Sequence, residues 1–272
     1  MAIEFRGVKN LVFAEVTADT ESAYTTGTVK TLAPVAEISK SVETSSEAHY
    51  YDNKAAIIID TEGADTVTFT VAIPDDETFA LLTGRTYDST TKRFIESERV
   101  QRYFAVGYIL GEVGEGEDER YVWRYKGTFN IPDETAQTEN DTTDANNLSL
   151  VFTGIYTNHE FANGKGTGVA GAAKAMFIRK SDNVGTATQF FAQVTTPDTV
   201  IPSYTLTKTQ GASTTLSVTR GGVELANNAT IYAGDVLTIT VTGGTVKVNN
   251  TSFTSGNTYT VAGDTTVVST AG

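Results

Sequence analysis

Residues 102–131, RYFAVGYILGEVGEGEDERYVWRYKGTFNI, decide the fold. In the second half, Tyr121, Trp123, Tyr125, Phe129 and Ile131 alternate with Arg120, Arg124, Lys126 and Asn130. A period of two sends successive side chains to opposite faces of an extended chain, so this is a strand with one apolar and one polar face. Residues 102–113 read the same way, and VGEGEDER, 113–120, supplies the glycine-containing turn that joins two antiparallel strands. The turn's acids, Glu112, Glu115, Glu117, Asp118 and Glu119, lack the alternating Asp/Asn spacing and distal Glu of a calcium loop. They are expected at a solvated hairpin tip.

Working outward, residues 65–73, DTVTFTVAI, set Val67, Phe69, Val71 and Ile73 against Thr66, Thr68 and Thr70. Residues 147–156 set Leu148, Leu150 and Phe152 against Asn147, Ser149 and Thr153. The expected class is mainly β, an antiparallel sandwich or barrel-like core. One segment breaks the alternation. Pro74 followed by Asp75, Asp76 and Glu77 opens a helix with favourable first-turn charge, Phe79, Leu81 and Leu82 give it an apolar stripe, and Gly84 closes it. This α-helix flanks the sheet, and a second short helix is expected over 187–193, ATQFFAQ.

The 272 residues have room for a medium domain and a small one. Residues 1–199 hold 17 basic and 30 acidic side chains; residues 200–272 hold three of each, so the net charge of −13 lies entirely in the first part. Such a chain repels a phosphate backbone. The boundary falls in TTPDTVIPS, 195–203, where Pro197 and Pro202 favour an extended linker. Domains of 1–199 and 200–272 follow. The last 70 residues carry 18 Thr, apolar runs at Leu216, Val218 and at Val236, Ile239, Val241, and turn signals at Gly221-Gly222, Asn227-Asn228 and Gly243-Gly244. A small sandwich of about seven short strands is expected there.

Chemistry is narrowly bounded. Cysteine is absent and the only histidines are His49 and His159, which excludes disulfides, thiolate zinc sites and cysteine nucleophiles. NGKGTGVAG, 163–171, lacks the spacing of a phosphate-binding loop and reads as a flexible loop; no Gly-x-Ser-x-Gly elbow exists. No catalytic residue, metal site or cofactor is expected. No apolar run approaches a bilayer span, and MAIEFRGVKN lacks the apolar core of an export signal.

The order of GVKNLVFAEVT (7–17), EISKSVETSSEAHYYDNKA (37–55), PDDETFALLTG (74–84), RYFAVGYILGE (102–112), RYVWRYKGTFNIP (120–132) and TQFFAQVTTPDT (188–199) resembles the major tail proteins of long-tailed, non-contractile bacteriophages. Residues 205–250 look like the immunoglobulin-like domain that some of those subunits carry on the outer surface. The resemblance implies a virion structural protein, assembled in the bacterial cytoplasm as hexameric rings that stack into a tube for DNA delivery. Its partners would be further copies of itself, the tape measure, tail terminator and distal tail proteins, DNA passing without specific binding, and a weak host-surface contact through the C-terminal domain. The alternative is a cell-surface glycan-binding module.

Under that resemblance three groups of residues acquire roles. Glu37 and Glu43, on the polar face of the strand starting at Val35, are expected to face the lumen. Ser45, Ser46, Glu47, His49, Tyr50, Tyr51 and Asp52 form a polar arm with little apolar content to hold it to its own core, and are expected to reach a neighbouring ring. Arg120, Arg124 and Lys126, sharing one face of their strand, are expected to pair with acids of a neighbouring subunit.

Overall fold

The computed structural model describes residues 3–51, 54–114, 116–133, 147–183 and 185–272. Among these residues the chain is mainly β, and it divides into two compact units, 1–182 with 191–198, and 183–190 with 199–272.

The first unit contains β1 (Glu4–Thr20), β2 (Ala23–Thr26), β3 (Lys30–Thr31), β4 (Val35–Tyr51), β5 (Lys54–Val71), α1 (Asp76–Thr83), β6 (Thr86–Asp88), β7 (Arg93–Ile95), β8 (Phe104–Val113), β9 (Glu117–Phe129), β10 (Leu148–Gly154) and β11 (Ala175–Arg179). The main sheet runs β2-β1-β8-β9-β10-β5-β4, with β3 on β1, β11 on β9, and every pairing antiparallel. β1 also comes alongside β4 with no strand pairing between them among the described residues, so the sheet curls around its own core as an open barrel. Val67, Phe69 and Val71 lie opposite Phe152, Leu150 and Leu148, and all but Leu148 are completely buried, as their period of two requires. Ile73 departs from that expectation: it lies beyond the end of β5 and is exposed.

Helix α1 forms as its end signals dictate. The Asp75 side chain accepts the Thr78 N–H at 2.9 Å, and Gly84 closes the helix at φ 72°. A side chain at Gly84 would meet the Val100 carbonyl. Leu82 is buried in the barrel core, with Phe79 and Leu81 packed at its margin.

β9 differs from expectation in being buried on both faces. Its pairing with β8 slips between Phe104↔Gly127 and Val106↔Arg124, which inserts one extra residue into β9 and reverses the alternation. Beyond the slip, Arg124 turns inward to Tyr108, while Tyr121, Trp123 and Tyr125 turn outward beneath Phe161 and Phe191. The aromatic face is therefore a second dry layer on the back of the sheet.

The second unit begins in the 183–190 segment and takes in the first residues of α2 (Ala187–Ala192), the helix through which the division passes. Its strands are β12 (Ser203–Thr209), β13 (Thr215–Arg220), β14 (Val223–Glu224), β15 (Ala229–Tyr232), β16 (Val236–Thr242), β17 (Gly244–Val248), β18 (Thr251–Phe253), β19 (Thr258–Thr260) and β20 (Thr265–Ala271). They form two sheets, β15-β12-β20-β17-β18 and β14-β13-β16-β19, around Leu206, Val218, Ile231, Leu237, Ile239, Val246 and Val267. Nine strands replace the seven expected, and Val236 is exposed because the inward phase of β16 is Leu237, Ile239, Val241. β12 pairs with β20 in parallel, the one parallel pairing of strands among the described residues. The expected linker is tied down in its first half. The Thr195 carbonyl accepts the Tyr125 hydroxyl at 3.3 Å, and Asp198 accepts the N–H groups of Ala162 and Asn163 at 2.8 Å, within the first unit.

Candidate functional site: a projecting ribbon and a hydroxyl face

β10 leaves β5 at Gly154↔Asp65, but β4 and β5 continue paired from Thr44↔Glu62 to Tyr51↔Lys54. Past that point they form a two-stranded ribbon, and a lone ribbon is marginally stable in water. Ser45, Ser46, Glu47, Tyr50 and Tyr51 are exposed on it, His49 is half-buried opposite Ile57, and Asp52 lies outside the described residues. The returning strand changes its character from the polar arm expected. Ile57, Ile58 and Ile59 are 50%, 63% and 49% exposed, beside Tyr50 at 69% and Tyr51 at 60%. Ile57 and Ile59 face one way and Ile58 the other, so the ribbon carries apolar surface on both faces that the described residues of its own chain leave uncovered, and β4 also presents an unpaired sheet edge along the ribbon.

Below the ribbon, the outward face of β4, β5, β10 and β9 is built in rows. Glu37, Thr70 and Ser149 lie side by side, then Ser39, Thr68 and Val151, then Ser41, Thr66, Thr153 and Thr128. The face is hydroxyl-rich, carries no cation in these rows, and has Glu37 as its single carboxylate. Glu43 is exposed at the ribbon's root, where its side chain lies across Gly63.

Arg120, Arg124 and Lys126 require correction. All three find acids in their own chain, and they do not share a face. Arg124 Nη1 lies 2.8 Å from Asp65 Oδ2 inside the barrel, and its Nε donates to the Tyr108 hydroxyl at 3.1 Å. Lys126, displaced to the other face by the slip, reaches Asp19 Oδ2 at 2.6 Å beneath the Tyr103 ring. Arg120 pairs with Glu112, which also takes Arg179 at 2.9 Å, and its guanidinium lies between the rings of Phe5 and Phe177. Burial explains the outcome, because a cation removed from water needs a counter-charge already in place when the subunit folds. Glu112 is likewise buried rather than at a solvated tip; Glu119 pairs with Lys9 and Lys180, and Glu115 lies outside the described residues.

Little in the sequence pattern marks the acids that complete these pairs. Burial works against ionisation of Asp19, but the Asn158 N–H, the Lys126 ammonium and the His159 N–H hold its carboxyl below the usual range. Asp65 behaves likewise, burial being outweighed by Lys40 at 3.1 Å and by Arg124. Lys174 adds a third cation to Asp65 and also bonds Glu62. Only Asp65 leaves a trace: it shares the phase of Val67, Phe69 and Val71, and a charge in an apolar phase requires a buried partner.

The glycine-rich loop, read from sequence as flexible, is crossed by hydrogen bonds of its own. Asn163 Oδ1 accepts the Gly168 N–H at 2.8 Å, Lys165 N–H donates to the Val169 carbonyl at 3.0 Å, and Asp198 anchors its start. Among the described residues no group of three or more His, Asp or Glu side chains is placed to hold a metal ion. No family model matches the chain, and no curated protein matches it significantly.

Proposed function

We propose that the chain is a tube-forming structural protein, the tail-tube subunit of a long-tailed phage, working in the virion as stacked hexameric rings that conduct DNA. The observation that carries this reading is the projecting ribbon. Its isoleucines and tyrosines are exposed in the isolated chain, and its open edge asks for another strand. Contact between one patch and a different patch on the next copy closes rings or extends filaments, whereas a self-complementary patch stops at a dimer. The hydroxyl face fits the channel wall. Serine and threonine offer brief, uncharged hydrogen bonds, and without cations no counterions are released when phosphates pass. Glu37 stands on that wall, with Glu43 at its rim.

Negative-stain microscopy and sedimentation of the purified protein test the reading. Rings or tubes are expected. Replacing 45–61 by a two-residue turn removes both halves of the ribbon in register, Ser45 being opposite Thr61, and should leave a folded monomer that no longer polymerises. A wild-type protein that stays monomeric at high concentration while being retained on cell-wall polysaccharide would replace this reading with the glycan-binding one.

A further inference from the structure

Nothing in the ribbon's own packing sets the direction in which it leaves the barrel. At its root the pairing slips between Val42↔Asp65 and Thr44↔Glu62, so β5 carries one more residue than β4 across Gly63 and Ala64. Such a bulge bends a strand and interrupts its ladder. Gly63 keeps the bend slim: a Cβ there would lie 2.9 Å from Glu43 Oε2. The root is thus a pliant point between a rigid barrel and a ribbon that buries little.

One side chain from elsewhere spans it. Lys174, just ahead of β11, is fixed through its carbonyl, which accepts the Tyr125 N–H at 2.9 Å. Its ammonium donates to Glu62 Oε1 at 2.5 Å, to the Gly63 carbonyl at 2.6 Å and to Asp65 Oδ1 at 3.3 Å. Those acceptors lie on the ribbon side of the slip, at the slip, and on the barrel side. An ammonium has three protons, and all are used. Asp65 is itself immobilised by Arg124 at 2.8 Å and Lys40 at 3.1 Å, so it serves as the fixed reference. The Tyr156 ring, 4.6 Å from the ammonium, covers the site, and Lys174 is only 8% exposed.

We propose that Lys174 is the latch that sets the ribbon's angle, and that the ribbon pivots at Gly63 when Lys174 lets go of Glu62. Lys174 is a positioning residue: it is buried and acts through the ribbon it holds. The mechanical statement concerns the single chain, and only its consequence for polymer growth rests on the tube reading.

The chain has no cysteine, so two introduced thiols can carry spin labels cleanly. Ser46→Cys on the ribbon and Ser149→Cys on the barrel are both exposed. Labelled full-length protein is diluted into excess unlabelled protein, so that only distances within one chain are read. The expected result is a narrow distance distribution that broadens in Lys174→Met. Hydrogen exchange on the same variant should rise on the order of tenfold over 44–51 and 54–62 while β8–β10 keep their protection. Lys174→Met leaves Asp65 paired with Arg124 and Lys40; should it not fold, Glu62→Gln tests the ribbon side of the latch alone, with the same broadening expected. Unchanged distance width in the folded variants overturns the latch, as does loss of protection in β8–β10 equal to that in the ribbon. Polymerisation is scored separately by microscopy, so a protein that forms no tubes can still show the latch, and one that forms tubes can still lack it.

Discussion

Replacing Asp19 by alanine should be among the most damaging single changes in the first unit. Asp19 and Lys126 are 5% and 8% exposed at the side chain and 2.6 Å apart. Without Asp19, the Lys126 ammonium stays under the Tyr103 ring with no counter-charge, and removing one member of a buried pair costs about 3–5 kcal/mol. The N–H groups of Asn158 and His159, each 2.9 Å from the carboxylate, also lose their acceptor. Water reaches that edge and offsets most of the second loss, so the stranded ammonium dominates. For a unit of this size, at about 2–4 °C per kcal/mol, the melting temperature should fall by roughly 6–20 °C. Scanning calorimetry of the full chain is the assay, with Glu15→Ala as control. Its partner Arg102 is 2.6 Å away, but the pair is 39% and 33% exposed, and an exposed pair contributes at most about 1 kcal/mol. The double variant Asp19→Asn with Lys126→Met should recover much of the loss. If Asp19→Ala melts no lower than Glu15→Ala, the buried pair does not carry the stability assigned to it.

Two further outcomes are expected. Residues 199–272 alone should give a cooperative thermal transition and a dispersed proton spectrum, because the core of the second unit draws only on residues within 204–267; a spectrum without dispersion contradicts this. Acid should act late. Asp19, Asp65 and Asp198 all hold their protons less tightly in the folded chain, burial being outweighed by their hydrogen-bond and cationic partners. Carboxylates with depressed folded values contribute stability that is complete above the unfolded value of about 3.9 and is lost as pH falls through the folded one. The melting temperature of the first unit should therefore be level from pH 8 to about 5 and drop below about 4, and a fall between pH 7 and 5 would count against these assignments.

The strands were legible wherever one face met water. DTVTFTV and LSLVFTG alternate cleanly because their outer rows, Val151 apart, are hydroxyls in contact with solvent, and α1 announced itself through Asp75 and Gly84. β9 was half legible: its period of two identified a strand, yet the same period assigned Arg124 and Lys126 to one face. An inserted residue is invisible in a pattern of types, because the bulge is fixed by the partner strand's register rather than by β9 alone. The isoleucine triplet carries no sign of its exposure in the sequence pattern. A continuous apolar run ordinarily belongs to a strand buried on both faces, whereas this one lies on the ribbon, beyond the end of the β10 pairing at Gly154, and is exposed. The partners of the buried cations were hidden by distance, since Asp19 and Lys126 lie more than a hundred positions apart.

The parallel pairing of β12 with β20 has a mechanical consequence. The strand that opens the second unit and the strand that closes it run in the same direction, matched from Leu206↔Thr265 to Thr209↔Val268. The start of β12 and the end of β20 therefore lie at opposite ends of this strand pair. Tension between the two ends pulls these strands lengthwise past each other, so the rungs between them bear the load together instead of opening one after another as in a zipper. A module wired in this way yields at high force along its own axis while remaining easy to peel from the side.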